Sequence, residues 1–130
     1  MAAPIYVLDS SAVLALFNTE PGWPRVAEIL TSSALSTVNA AEVFSKLDER
    51  GFSYAEIERF NAVLEDHFVA YDADLARRTG TLRASTRKAG LSLGDRACLA
   101  LAQRLGVPVV TADKAWSKIK IDVKIELIRQ

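Results

Sequence analysis

Four acidic residues stand where apolar segments end. They are Asp9 in IYVLDSS, Glu42 in STVNAAEVF, Asp95 in LSLGDRACLALA and Asp113 in VPVVTADKAW. A carboxylate beside a dry core costs free energy unless it is paired, protonated or bound to a cation. If the fold gathers several carboxylates, their mutual repulsion favours a bound metal ion, and oxygen ligands suit Mg²⁺ or Mn²⁺. The pattern predicts metal-assisted chemistry on phosphate esters.

The composition predicts one globular domain that spans residues 1–130. Half of the residues are hydrophobic, which is enough for a core, and no apolar run approaches the roughly 18 residues of a membrane span. No positive region precedes the first apolar stretch, so we expect no secretory signal. Cys98 is the only cysteine and His67 the only histidine. These counts exclude an intrachain disulfide and a two-histidine mechanism within one chain, and they fit a cytoplasmic protein.

The net charge of zero conceals a strong asymmetry along the chain. Residues 1–74 hold 12 acids and 4 bases, a balance of −8, whereas residues 75–130 hold 4 acids and 12 bases, a balance of +8. Two of the four later acids are Asp95 and Asp113. The second half therefore predicts a basic surface around an acidic site, as a nuclease needs in order to bind a polyanion. Attraction between two oppositely charged halves of one fold explains the asymmetry equally well.

Strands and helices alternate along the predicted secondary structure. We expect strands at 4–9, 35–38, 67–71 and 107–111 and an edge strand at 123–128. Helices are expected at 11–17, 24–32, 40–50, 54–67, from 72 or 74 to 88, and 93–105, with a short helical turn at 114–116. Asn39, Ser53 and Ser92 are the predicted N-caps of the third, fourth and sixth helices. This alternation is typical of a parallel sheet with helices on both faces.

Such a fold would bring the four acids to one edge of the sheet. The carboxyl ends of parallel strands line up there, and the following helix N-termini favour nearby carboxylates. Each acid also has a purely structural interpretation. Asp9 can cap a helix and Asp113 can stabilise a turn, while Glu42 faces polar helical neighbours. Asp95 extends the apolar stripe of its helix, which favours a functional role.

Taken together, these segments resemble the PIN-domain family, in particular the VapC-type toxins of bacterial toxin–antitoxin systems. The motifs are VLDSSAVLALF, NAAEVFSKL and LSLGDRACLALAQRLGVPVVTADKAW, in this order and spacing. The resemblance implies an α/β fold, a three-layer α/β/α sandwich around a short, mainly parallel sheet. It also implies a Mg²⁺- or Mn²⁺-dependent endoribonuclease of a type II toxin–antitoxin system, in which a metal-activated water hydrolyses RNA. The implied metal ligands and catalytic residues are Asp9, Glu42, Asp95 and Asp113, supported by Thr111 and by Ser10 or Ser11.

The resemblance further implies a homodimer, an RNA substrate and a small VapB-like antitoxin partner. Candidate RNA contacts are the basic residues Arg77, Arg78, Arg83, Arg87, Lys88, Arg96 and Lys114. An apolar groove for the partner is predicted from Leu14, Phe17, Trp23, Val26, Ile29 and Leu30, although packing of these side chains on the sheet is the competing interpretation.

Three alternative functions remain open: a PIN-like RNA-processing nuclease outside a toxin–antitoxin pair, a phospho-signalling module and a non-catalytic binding domain.

Overall fold

The computed structural model describes residues 2–130. Five short strands are present: β1 Tyr6–Leu8, β2 Ser33–Ser36, β3 Phe68–Val69, β4 Val109–Thr111 and β5 Ile125–Leu127. The seven α-helices are α1 Ser10–Phe17, α2 Trp23–Ile29, α3 Thr37–Glu49, α4 Tyr54–Leu64, α5 Ala73–Thr81, α6 Arg83–Thr86 and α7 Leu93–Leu105. Four short 3₁₀ turns complete the secondary structure, at Leu30–Ser32, Glu65–His67, Arg87–Ala89 and Lys114–Lys118.

The five strands form one parallel sheet in the order β3-β2-β1-β4-β5. The first strand therefore lies at the centre, where Val7 is in register with Ala34 on one side and with Val109 on the other. The chain moves outward from β1 in both directions, so the loops after β1, β2 and β4 lie side by side at the carboxyl edge.

Two apolar cores lie on opposite faces of this sheet, because successive strand residues point to opposite sides. Val7 and Val109 pack with α5, α7 and the buried Trp116. Their neighbours Leu8 and Val110 pack with α1, α2, α3 and α4. These contacts confirm the predicted three-layer α/β/α sandwich. Within residues 2–130, no helix has both the length and the apolar character needed to cross a membrane.

The second strand and the third helix begin earlier in the chain than the sequence predicts. The strand is Ser33–Ser36 rather than 35–38. Ser36, not Asn39, is the N-cap of α3, and its hydroxyl accepts a hydrogen bond from the Val38 amide. Consequently Glu42 lies in the second turn of α3 rather than in the first. The predicted role of Asn39 as a cap is wrong, which frees its side chain for a different contact.

The long helix predicted to reach residue 88 is divided into three pieces. Helix α5 ends at Thr81, α6 follows as one turn, and the 3₁₀ turn Arg87–Ala89 leads to Gly90 in the left-handed region at φ 68°. The break has a packing cause, because Leu82 and Leu91 both insert into the core. A continuous helix would carry the chain past this core instead of turning it back toward α7.

Candidate active site

Asp9 follows β1 directly and is fixed in place by four hydrogen bonds. It is the N-cap of α1, and its Oδ1 accepts from the Ala12 amide at 2.9 Å. The Thr111 hydroxyl donates to Oδ2 at 2.7 Å, and the Ser11 hydroxyl lies 2.8 and 2.9 Å from the two oxygens. Asp9 is only 3% exposed. The carboxylate is therefore both buried and immobilised at the centre of the sheet edge.

The end of β4 is tied to Asp9 through the same two hydroxyls. The Asp113 amide donates to Thr111 Oγ1 at 3.0 Å, and the Ala112 amide donates to Ser11 Oγ at 3.0 Å. Each of these hydroxyls therefore bridges the loop after β4 and the carboxylate of Asp9.

Glu42 reaches the same edge from α3, where two donors hold one of its oxygens. The Ser10 hydroxyl and the Asn39 amide nitrogen both donate to Oε1 at 2.9 Å. Its carboxylate lies directly over Gly94 in the first turn of α7. A Cβ at that glycine would come within 2.6 Å of Oε1 and nearer still to Oε2. Ser10 thus contacts Glu42, whereas Ser11 contacts Asp9.

Asp95 and Asp113 complete the predicted set, and both are bound to backbone amides at helix starts. Asp95 forms a capping box with Ser92, in which the Ser92 amide donates to Oδ2 at 3.0 Å and the Ser92 hydroxyl accepts from the Asp95 amide. Asp113 caps the turn Lys114–Lys118, and its Oδ1 accepts from the Ala115 amide at 2.9 Å. Asp95 is half-buried and Asp113 is exposed. The site therefore opens to solvent on this side.

The pKa shifts indicate that the four acids share one electrostatic environment. Burial raises the pKa of Asp9 to about 6, with a further increase from the charge of Asp95, and the hydrogen bonds of Asp9 offset only part of this rise. The pKa of Asp95 is raised by burial and then by the charges of Glu42 and Asp113. Burial, followed by the charges of Asp9, Asp95 and Glu42, raises the pKa of the Cys98 thiol beneath them. The acids therefore lie close enough together for their charges to interact.

The donor chemistry of this cluster fits a divalent cation. Within residues 2–130, no three carboxylate, imidazole or thiol groups already surround a single point closely enough to hold an ion. However, the groups that meet at this edge are oxygen donors of the kind that Mg²⁺ and Mn²⁺ prefer. The raised pKa values of Asp9 and Asp95 measure a repulsion and a desolvation that a cation would relieve. In addition, Asn39 Oδ1 is buried beside Glu42 without a partner in the described part of the chain.

Three of the candidate RNA contacts already interact with other residues of the chain. Arg77 and Arg78 both contact Asp74, with nitrogen–oxygen distances of 2.6 and 2.9 Å. Arg96 is half-buried, and its Nη1 donates to the Thr79 carbonyl at 3.4 Å. These three side chains have intramolecular roles that compete with phosphate binding.

The remaining basic candidates are exposed around the acidic edge. Arg83, Arg87, Lys88 and Lys114 are all exposed and form no ion pair within residues 2–130. The turn Arg87–Ala89 packs against the turn Lys114–Lys118, which begins at Asp113. Positive charge therefore lies directly beside the acidic cluster.

The apolar groove predicted over the early helices is largely a core. Val26 and Ile29 are buried in the cluster that packs on β1 and β2, and Leu14, Phe17 and Leu30 are half-buried against it. Only Trp23, the first residue of α2, is substantially exposed, at 38%. The competing interpretation therefore holds for Val26 and Ile29, because helices that cover a sheet turn such side chains inward, and the groove over the other four residues stays a prediction.

Two residues that shape the site, Asn39 and Gly94, are not among those that the sequence predicts. The residue type of Asn39 suggests a cap, and nothing in the sequence distinguishes Gly94. One signal is available: Asn39 precedes Glu42 by three residues, a spacing that places two side chains on the same helical face. The role of Gly94 follows only from the approach of α3 to α7, which the sequence does not specify.

A parallel α/β sandwich with acidic residues at its carboxyl edge defines a class of proteins that bind cations and phosphate esters. The model of the PIN domain family matches residues 6–122, and the chain belongs to this family. PIN domains are generally nucleases that depend on divalent metal ions. No curated protein sequence matches the chain.

Several solved structures share the fold at low sequence identity. A toxin–antitoxin complex from Klebsiella pneumoniae is 21% identical, with a TM-score of 0.68 and coverage of 95% of this chain and 100% of that one. DNA-bound VapBC from Salmonella typhimurium is 22% identical, with a TM-score of 0.69 and coverage of 96% and 98%. VapBC-5 from Mycobacterium tuberculosis is 23% identical, with a TM-score of 0.61 and coverage of 98% and 100%.

Proposed function

We propose that this protein is the toxin of a type II toxin–antitoxin system and acts as a Mg²⁺- or Mn²⁺-dependent endoribonuclease. The observation that carries the proposal is the convergence of Asp9, Glu42, Asp95 and Asp113 at the carboxyl edge of a PIN-domain sheet. The Thr111 hydroxyl joins Asp9 to the amide of Asp113, and the Glu42 carboxylate lies over Gly94, the residue before Asp95. The chain belongs to a family of nucleases, so the reaction proposed for this cluster is hydrolysis of a phosphodiester bond.

The side chains of the cluster divide into ligands and supports. Asp9, Glu42, Asp95 and Asp113 would hold the ion. Ser11 and Thr111 fix the orientation of Asp9, and Ser10 fixes that of Glu42. When bound, a divalent ion supplies Lewis-acid polarisation of the phosphate and lowers the pKa of a water molecule. No nucleophilic protein side chain is needed, which agrees with the protonated, buried state that the raised pKa of Cys98 maintains.

Cleavage of a labelled RNA in the presence of Mn²⁺ or Mg²⁺ tests this assignment. We expect products with a 5′ phosphate and a 3′ hydroxyl, no cleavage in excess chelator, and at least a hundredfold loss of rate in Asp9→Asn and in Asp95→Asn. Asp48→Asn is the matched control, because Asp48 is an exposed acid near the far end of α3. Undiminished cleavage by both site variants would remove these residues from the mechanism and with them the proposed reaction.

The basic surface beside the cluster is the proposed path for RNA. Arg87 lies in the turn that packs against Lys114–Lys118, which begins at Asp113, and Arg83 is exposed on α6. Together with Lys114 they would bind the phosphates that flank the cleaved bond. Arg77 and Arg96 belong to the same proposed track, but their existing contacts with Asp74 and Thr79 predict a smaller contribution. This track would supply affinity without base specificity, because phosphate contacts carry no direct sequence information.

A small antitoxin of the VapB type is the proposed protein partner. The similar chains from Klebsiella pneumoniae and Salmonella typhimurium come from toxin–antitoxin complexes. We expect the product of a short reading frame directly upstream to co-purify with this chain and to suppress RNA cleavage. We also propose a homodimer, which light scattering of the purified protein would detect as twice the 14.2 kDa chain mass. A monomeric protein that is unaffected by the upstream product would contradict both partner assignments while leaving the nuclease assignment intact.

A further inference from the structure

Asn39 is a buried amide that joins two elements of the acidic edge. Its side chain belongs to a residue only 1% exposed. The Nδ2 group donates to Glu42 Oε1 at 2.9 Å on its own helix and to the Gly94 carbonyl at 3.0 Å on α7. Because a carboxamide nitrogen has two protons, both contacts form at the same time and use the full donor capacity of the group.

The two donors on Glu42 act on the same oxygen. Asn39 and Ser10 both contact Oε1, each at 2.9 Å, whereas Oε2 accepts no hydrogen bond from any residue within 2–130. A carboxylate fixed through one oxygen cannot rotate freely, so its second oxygen keeps a constant direction. The carboxylate lies over Gly94, the residue before Asp95, so it is held beside the first turn of α7.

We propose that Asn39 is a positioning residue that orients Glu42 so that Oε2 is the oxygen offered to the divalent ion. This inference rests on the proposed metal-dependent function and adds an uncharged residue that acts through Glu42. Gly94 is the second half of the arrangement, since its lack of a side chain leaves room for the carboxylate between α3 and α7. Outer contacts of this kind commonly change metal affinity by about 10- to 100-fold.

A double-mutant cycle on Mn²⁺ affinity tests the role of Asn39, with free Mn²⁺ measured by electron paramagnetic resonance. We expect Asn39→Ala to weaken binding at least about tenfold, and Glu42→Gln to weaken it as much or more. If Asn39 acts through Glu42, the double variant should bind Mn²⁺ with the same affinity as Glu42→Gln alone, because both substitutions remove the same contribution to binding. Asn18→Ala is the control, since the amide nitrogen of Asn18 is also buried but has no partner within residues 2–130.

The outcomes separate the two proposals. Wild-type protein that binds no Mn²⁺ would overturn the metal-dependent function and this inference together. Wild-type protein that binds Mn²⁺, combined with Asn39→Ala affinity within twofold of it, would overturn the positioning role alone. So would a double variant in which the two losses multiply, because a merely structural effect of Asn39 would add to that of Glu42.

A second measurement needs no substitution at Asn39, in case that variant does not fold. The side-chain amide signals of Asn39 in metal-free protein should exchange slowly with solvent, and they should shift when Glu42→Gln is introduced. They should also shift when Mg²⁺ is added to wild-type protein but not to Glu42→Gln. Amide signals that shift neither with the Glu42→Gln substitution nor with Mg²⁺ would refute the positioning role.

Gly94→Ala tests the other half of the arrangement. Its Cβ would overlap the Glu42 carboxylate, so we expect a loss of Mn²⁺ affinity comparable to that of Glu42→Gln. Gly80→Ala is the matched control, because a Cβ at Gly80 meets no atom within 4 Å. Unchanged Mn²⁺ affinity in folded Gly94→Ala would show that the position of Glu42 is unimportant for the ion and would overturn the inference.

Discussion

Ionised Asp9 should destabilise the metal-free fold, so removal of its charge should stabilise the protein. Its pKa is about 6 in the folded state against 3.8 for an unperturbed group. The folded protein therefore binds this proton more tightly than the unfolded chain does. The contribution of Asp9 to stability is therefore greatest below about pH 4, falls as the pH rises through 6, and is then lower by about 3 kcal/mol, at 1.36 kcal/mol per pKa unit.

Asp9→Asn isolates this cost because asparagine keeps the shape and the capping oxygen. The Ala12 contact can persist at Oδ1, but the Thr111 hydroxyl, which donates to Oδ2 of the aspartate, cannot donate to the Nδ2 group of the asparagine, so that hydrogen bond is lost or reversed. Allowing about 1 kcal/mol for that loss, we expect the variant to be more stable than wild type by about 2 kcal/mol at pH 8. The difference should vanish or change sign near pH 4, where Asp9 is protonated.

Urea unfolding at both pH values in the presence of a chelator measures this difference. Adding Mn²⁺ at pH 8 should reverse the order: ligand at 100 times its Kd stabilises the wild type by about 2.7 kcal/mol, whereas Asp9→Asn should gain little. Asp48→Asn, at an exposed position on α3, should behave as wild type throughout. A variant at position 9 that is less stable than wild type at pH 8, or a difference that does not depend on pH, would refute the electrostatic account of the site.

Three further changes test individual parts of the structure. Gly80→Ala should raise the free energy of unfolding by about 0.5–1 kcal/mol, because Gly80 is a helical residue with open space around it. Ser92→Ala should lower it by about 1 kcal/mol through loss of the cap on α7, as measured in urea. Replacing both Arg83 and Arg87 by glutamine should reduce the salt dependence of single-stranded RNA binding by about 0.7 for each phosphate that is no longer neutralised, whereas an unchanged slope would exclude them from the RNA track.

The sheet and the positions of the acids could be predicted because they depend on local patterns. The apolar run of β1 is followed by Asp9, and those of β2 and β4 end in Ser36 and Thr111. Parallel topology then sets which ends meet. Ser53 and Ser92 are recognisable as N-caps, and both form capping boxes. The Ser53 box uses Glu56 at the third helical position, which is the spacing typical of this motif.

Tertiary contacts decided the parts that could not be predicted. Asn39 has the residue type of a cap, but Ser36 ends β2 at the place where α3 starts, so the local preference of Asn39 was irrelevant. The break after Thr81 depends on burial of Leu82 and Leu91 in a core assembled from distant segments. The approach of Glu42 to Gly94 likewise joins two helices that are far apart along the chain. In each case a long-range contact overrides a local preference.

Three of the four acids serve the fold and the site at once. Asp9, Asp95 and Asp113 each accept a hydrogen bond from a backbone amide at the start of a helix or turn. These amides lower the cost of placing like charges together, because a helix start carries partial positive charge. One oxygen of Asp95 and one of Asp113 accept no hydrogen bond within residues 2–130, so they stay available to a ligand. Alanine at these positions would therefore remove a cap and a charge together, at a cost of about 1 kcal/mol for the cap alone. Asparagine keeps one oxygen for the cap but removes the charge and the second acceptor oxygen, which makes Asp→Asn the substitution that separates loss of ion binding from loss of folding.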